Sequence, residues 1–277
     1  MKIRKLLPYT LIVFLALGFV ACSDSGSDSG GEDQPPDIPA LTANSQPDIS
    51  FFQNNNPTKA GLKGATNATV QNFNTAKGTV LGGAAFLSIS QAYTGFITPA
   101  AQEEADFVNG QWVWEYSFAQ GGQSASIRTT ARPQGNGFEW SVFVSSDDGE
   151  GNVFENFKIM EGTASNDGAQ GNWTFFFFAD EDQSNSMPFL TSSWTVVSET
   201  ESSIELEIFD EGGETTATIT YQENGAENMM NINLSDEEGA VEVFWNTDTN
   251  VGYVVQDGER VCWDGSFQDV SCSAVSW

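Results

Sequence analysis

From residue 107 onward the chain alternates between apolar and polar side chains with a period of two. In Gln111 to Phe118, Trp112, Trp114, Tyr116 and Phe118 share one face, while Gln111, Glu115 and Ser117 share the other. Phe138, Trp140, Val142 and Val144 repeat the pattern, as do Ile204, Leu206 and Ile208, then Ala217, Ile219 and Tyr221. Met230, Ile232 and Leu234 follow, then Val241, Val243 and Trp245. The opposite faces hold Glu205, Glu207, Thr216, Thr218, Thr220, Asn231, Asn233 and Glu242. Successive side chains of a strand point to opposite sides, so this is the pattern of half-buried antiparallel strands.

Turn chemistry separates these segments. Gly121-Gly122, Asn136-Gly137, Asp148-Gly149, Asp167-Gly168, Gly212-Gly213, Asn224-Gly225, Asp257-Gly258 and Asp264-Gly265 suit hairpin turns that need positive φ. No helix-length pattern interrupts them. The reading is a mainly β fold, an antiparallel up-and-down meander of about ten to twelve strands over 107–277. It is either closed as a barrel or curled as an open sheet.

Residues 51–106 form an N-terminal helical segment packed on that sheet. Val70, Phe73 and Val80 follow helical spacing; Gly82-Gly83 divides the segment into two pieces, and Pro99 ends the second. Trp173-Thr174-Phe175-Phe176-Phe177-Phe178 is apolar on both faces, so a covering element is needed there. The helices are the expected cover. A meander with a helix over one opening resembles, in layout, the periplasmic lipoprotein carriers that hold acyl chains.

The formal charge of −28 excludes partners with phosphate backbones, because such a surface repels them. There is no histidine, which removes histidine triads and histidine metal sites. No phosphate-cradling Gly-Lys-Ser/Thr motif occurs. No cofactor is expected, with calcium as the alternative.

The N-terminus carries an export pattern. Lys2, Arg4 and Lys5 precede an apolar run from Leu11 to Phe19, and small Ala21 precedes Cys22-Ser23-Asp24. This resembles a bacterial lipoprotein signal, residues 1–21, in which the cysteine is lipidated and becomes the mature N-terminus. Two alternatives stay open: a spanning helix, for which the run falls short of about 20 apolar residues, and ordinary secretion with cleavage after Gly18. The resemblance implies a diacylglycerol on Cys22 and a membrane partner reached through lipid. It places the protein at an outer membrane or cell surface. Residues 22–50, rich in Ser, Gly, Asp and Pro, then read as an acidic tether. With Cys22 lipidated, Cys262 and Cys272 remain as a pair, and an oxidising compartment favours a disulfide between them.

Three constellations bear on chemistry. Glu205-Leu206-Glu207-Ile208-Phe209-Asp210 resembles the acid-bearing strand of one family of retaining β-glucanases, with both of its later acids exchanged. That resemblance implies catalysis by Glu205, Glu207 and Asp210; the bland reading is a solvated face. Asp180 to Ser184 and Asp147 to Glu150 are acidic turns where a calcium loop would sit. Trp112, Trp114, Tyr116, Trp140, Trp173, Trp194 and Trp245 either fill a core or line a pocket for an apolar or glycan ligand. The leading functional reading is a non-catalytic, lipid-anchored envelope protein with a binding or structural β domain. A carrier of an acyl or other apolar ligand and a carbohydrate-active enzyme are the alternatives.

Overall fold

A computed structural model describes residues 34–36, 47–57, 69–100, 103–151, 153–178, 186–235 and 239–277, with side chains 87–100 outside the description. Cys22 and the acidic loop Asp180 to Ser184 lie outside the described residues.

The described residues form an antiparallel meander of fourteen strands in one sheet, each strand pairing with its sequence neighbours. The strands are β1 Asp106–Val108, β2 Gln111–Gln120, β3 Gln123–Gln134, β4 Gly137–Asp147, β5 Val153–Ser165, β6 Gln170–Phe178 and β7 Ser186–Ser198. They continue as β8 Glu201–Phe209, β9 Thr215–Asn224, β10 Glu227–Leu234, β11 Val241–Asn246, β12 Gly252–Gln256, β13 Glu259–Trp263 and β14 Asp269–Val270. The count exceeds the sequence expectation partly because β1 and β14 are only three and two residues long, too short to carry an alternation. These two end strands do not pair with each other, so the sheet is open and no barrel closes.

Among the described residues two α-helices precede the sheet: α1 Ser50–Asn54 and α2 Gln71–Ala100. Helix α2 runs unbroken through Gly82-Gly83, where the sequence suggested a division. Gly83 is small because of what lies beside it. A Cβ there would stand 2.7 Å from Met230 Sδ and 3.0 Å from Ile232 Cδ1, so the glycine lets the helix approach β10. Phe73, Ala76 and Val80, three and four residues apart, form the stripe that α2 buries. The helix touches β2 and β3 near one end of the sheet and β11 to β14 at the other. The sheet therefore curls around α2, and its concave face is the core.

The first turn of α2 is tied to the last strand. The Asp269 carboxylate accepts hydrogen bonds from the Gln71 and Asn72 backbone N–H groups, at 3.1 and 2.9 Å. The Asn72 amide donates to the Cys262 carbonyl at 2.8 Å. Cys262 and Cys272 form the expected disulfide, their Cα atoms 5.1 Å apart.

Two local expectations change. The β3–β4 turn is centred on Gly135 and Asn136, not on Asn136-Gly137. Gly137 is the first residue of β4, and the Ala164 carbonyl occupies the space its Cβ would need. The phenylalanine run itself keeps alternating between faces, with Trp173 and Phe175 buried; its partner β7 carries a bulge, where Phe175 pairs with Leu190 but Phe176 with Pro188, leaving Phe189 as the extra residue. On the outer face the Lys158 ammonium group lies over Phe176, 5.5 Å from the ring centroid.

Candidate functional site

The concave face is built by pairing large rings with small neighbours. Cross-strand partners share a face, so one row runs Trp112, Ala131, Trp140, Gly162, Trp173, Ser192, Leu206. A second row joins Gly171 to Trp194, and a third joins Trp245 to Gly252 to Trp263. The glycines are where the indoles lie. A Cβ on Gly171 would come within 2.5 Å of the Trp194 ring, and one on Gly252 would strike Trp263.

Trp112, Trp114, Trp140, Trp173, Trp194 and Trp245 are all buried, and Tyr116 is half-buried at the end of this face. Trp114 stacks with Trp140 at 5.7 Å between centroids, and Trp173 with Trp194 at 6.2 Å. Phe52 of α1 meets Trp245 edge-on at 4.9 Å, and Phe73 of α2 meets Trp263 at 5.8 Å. These rings pack against one another and against the helices. Among the described residues, three buried donors on this face have no partner: Trp173 Nε1, Trp245 Nε1 and Thr129 Oγ1. Tyr221, also buried, donates to Asn228 Oδ1 at 2.7 Å. Burial first, then the nearby Glu223 charge, raises its phenol well above the ordinary tyrosine range.

The candidate acids stand on the other face. Glu205 is exposed between Ser193 and Thr220, because Ile204 and Leu206 point inward. Glu207 is half-buried and accepts a 3.3 Å hydrogen bond from the Thr191 hydroxyl. Asp210 lies past the strand end, where its Oδ1 accepts from the Gly212 and Glu214 N–H groups at 2.8 and 3.0 Å. Its visible task is to shape the β8–β9 turn. Asp147 and Asp148 behave alike, each accepting a backbone N–H two residues on, from Gly149 and Glu150. Among the described residues no three Asp, Glu, Cys or His side chains are grouped to hold a metal ion.

One feature of the outer face escaped the sequence reading. Phe244 and Tyr253 are cross-strand neighbours whose inward-pointing companions are Val243, Trp245 and Val254. Their rings lie nearly parallel, 17° apart, with centroids 5.2 Å apart. Trp277 stands edge-on to both, at 5.7 and 5.4 Å and at 70° and 82°. The Arg260 guanidinium lies 4.1 Å from the centroid of Tyr253. The Tyr253 hydroxyl donates to Glu242 Oε1 at 2.8 Å. Partial burial and that carboxylate push the Tyr253 phenol up to about 12. Two aromatics at outward positions of adjacent strands were the available signal.

These features define an open antiparallel meander whose aromatic rows are buried against the helices and whose outer face carries the acids and one aromatic group. No family model, no curated protein and no solved structure matches the chain.

Proposed function

We propose that this is a lipid-anchored envelope protein whose β domain binds or scaffolds and does not catalyse. The observation that carries the anchor is the sequence ending in Ala21-Cys22, preceded by a basic start and a short apolar run. Ile49, Phe51 and Phe52 are among the packed core residues, which leaves the segment after Cys22 as the tether of a folded domain. Two lipid chains hold a protein at a bilayer without any basic patch, which suits a chain this acidic. Among the described residues no helix is long and apolar enough to cross a membrane.

The non-catalytic reading is supported by the acids. Glu205 and Glu207 stand in a row of Ser, Thr and Asn side chains on the convex face, and Asp210 is engaged in a turn. A retaining glycosidase needs two carboxyls facing one bound sugar, about 5–5.5 Å apart across it.

The test is fractionation. Cys22→Ala moves the protein from the membrane fraction to the soluble fraction; unchanged membrane retention contradicts the anchor.

One observation favours a second reading, the apolar carrier. The unpartnered Trp173 Nε1, Trp245 Nε1 and Thr129 Oγ1 face the interior, where a lone buried donor is costly unless water or a ligand supplies an acceptor. Native mass spectrometry of the purified domain separates the two. A co-purified lipid supports the carrier, and a bare mass supports the scaffold.

A further inference from the structure

The sheet has two edges, and they are finished differently. At the C-terminal edge, β14 pairs with Cys262 and Trp263, and Cys272 Sγ lies 3.5 Å from the Arg260 carbonyl. At the N-terminal edge, β1 pairs with Gln111, Trp112 and Val113 alone. β2 runs on to Gln120, so its outer side from Trp114 onward has no neighbouring strand. Ala105, the residue before β1, packs against the core and does not continue the strand.

Hairpin geometry says which backbone groups this open stretch presents. Asn109-Gly110 and Gly121-Gly122 are two-residue turns with positive φ throughout. The residues flanking such a turn exchange both backbone hydrogen bonds. Gln111 therefore points its N–H and C=O at β1, and Gln120 points its own at β3. Direction alternates along a strand, so Val113, Glu115, Ser117 and Ala119 face the edge, and β1 reaches only as far as Val113. Glu115, Ser117 and Ala119 are exposed, and their edge-facing groups have no hydrogen-bond partner among the described residues. Open edges are ordinarily blunted by lysine, proline or a bulge. Residues 114–120 contain no lysine or proline, and their pairing with β3 has no register shift. Glu115 is the single charge in the stretch.

We propose that two copies of this chain pair along β2, edge to edge and antiparallel, into one continuous sheet. The segment is complementary to itself about Ser117. In that register Ser117 lies opposite its own counterpart, and Glu115 lies opposite Ala119 of the other copy, twice by symmetry. Each of these is a hydrogen-bonded pair, so every open N–H and C=O of the stretch is satisfied and the two glutamates avoid each other. Between them, Tyr116 of one copy and Phe118 of the other stand on the concave face as non-hydrogen-bonded neighbours, where side chains approach closest. Shifting the register by two residues sets Ala119 against Val113, already paired to β1, or Glu115 against the Gly121-Gly122 turn.

The experiment is sedimentation equilibrium of the chain from residue 22 onward, in high salt to screen the repulsion between two acidic copies. Cys22→Ser removes the thiol left over from the Cys262–Cys272 disulfide, so no covalent link can mimic the pairing. A monomer–dimer equilibrium is expected. Ser117→Pro removes an N–H that points off the sheet and no bond to β3, so it abolishes the dimer and leaves the thermal midpoint of the dilute protein unchanged. Ala119→Glu sets a glutamate opposite Glu115 of the other copy and weakens association about tenfold. Adding Glu115→Lys restores it. Residues 115 and 119 lie about 13 Å apart on one strand, so that rescue can only be made between copies. A mass that stays monomeric up to about 0.1 mM overturns the proposal, as does a dimer that Ser117→Pro and Ala119→Glu both leave intact. An Ala119→Glu defect that Glu115→Lys fails to reverse overturns it as well. None of these results depends on lipid at Cys22, so fractionation of Cys22→Ala tests the anchor separately.

Discussion

Glycine and tryptophan work here as cross-strand pairs. The sequence shows glycines a few residues before aromatics, as at Gly110 and Trp112 or Gly171 and Trp173, which hints at a motif along one strand. The contacts run across strands instead: Gly171 lies under Trp194, and Gly252 lies between Trp245 and Trp263. That pairing depends on register, which no spacing along the chain reveals. Gly252→Ala is therefore expected to destabilise the domain by about 1–3 kcal/mol, since the added methyl overpacks against Trp263 and the Phe244 carbonyl. Chemical denaturation measures it, and a loss within error of zero would mean the indole can move aside. The tyrosines give a pH signature. Tyr221 and Tyr253 hold their protons more tightly folded than unfolded. An unfolded tyrosine ionises near about pH 10, so their contribution is intact below that value and is lost as pH rises toward Tyr253's folded value of about 12. Denaturation midpoints should fall between about pH 9 and about pH 11, and Tyr253→Phe should flatten part of that fall. An equal slope in the variant would exclude Tyr253 as a source.

At the level of elements, alternation identified the long strands because one face of each is buried and the other wet. It could not identify β1 or β14, which are too short, and it did not show the bulge on β7 opposite residues 173–178. The helix was legible from Phe73 and Val80, but its passage through Gly82-Gly83 was not. Glycine breaks a helix by propensity alone, and only the approach of Met230 and Ile232 shows why it is retained. The outer aromatic group was missed for a related reason. Phe244 and Tyr253 occupy polar-face positions, and the ring that completes the group comes from Trp277, beyond the last strand. The C-terminal clasp is a tertiary feature as well. Asp269 on β14 caps α2, and β14 sits between the disulfide cysteines in sequence. Reducing Cys262–Cys272 should cost about 2–3 kcal/mol, the loop-closure value for so short a ring. It should also speed amide exchange in the first turn of α2. Asp269→Ala, with the disulfide intact, should reproduce the faster exchange at a cost of about 1 kcal/mol. Unchanged exchange in both cases would show that the clasp does not hold the helix.

Across the described residues, the sheet packs its aromatic rows against the helices and carries carboxylates, threonines and asparagines on its outer face, beside the Phe244, Tyr253 and Trp277 group. A surface this acidic has no electrostatic attraction to anionic lipid, so the membrane residence proposed here is assigned to covalent lipid. The account therefore turns on residue 22. The most direct measurement is mass spectrometry of the N-terminal peptide of the protein purified from its membrane fraction. The account predicts a peptide that begins at Cys22 and carries diacylglycerol, with residues 1–21 gone. A peptide that begins at another residue, or that retains Met1 to Ala21 on an unmodified Cys22, would contradict it.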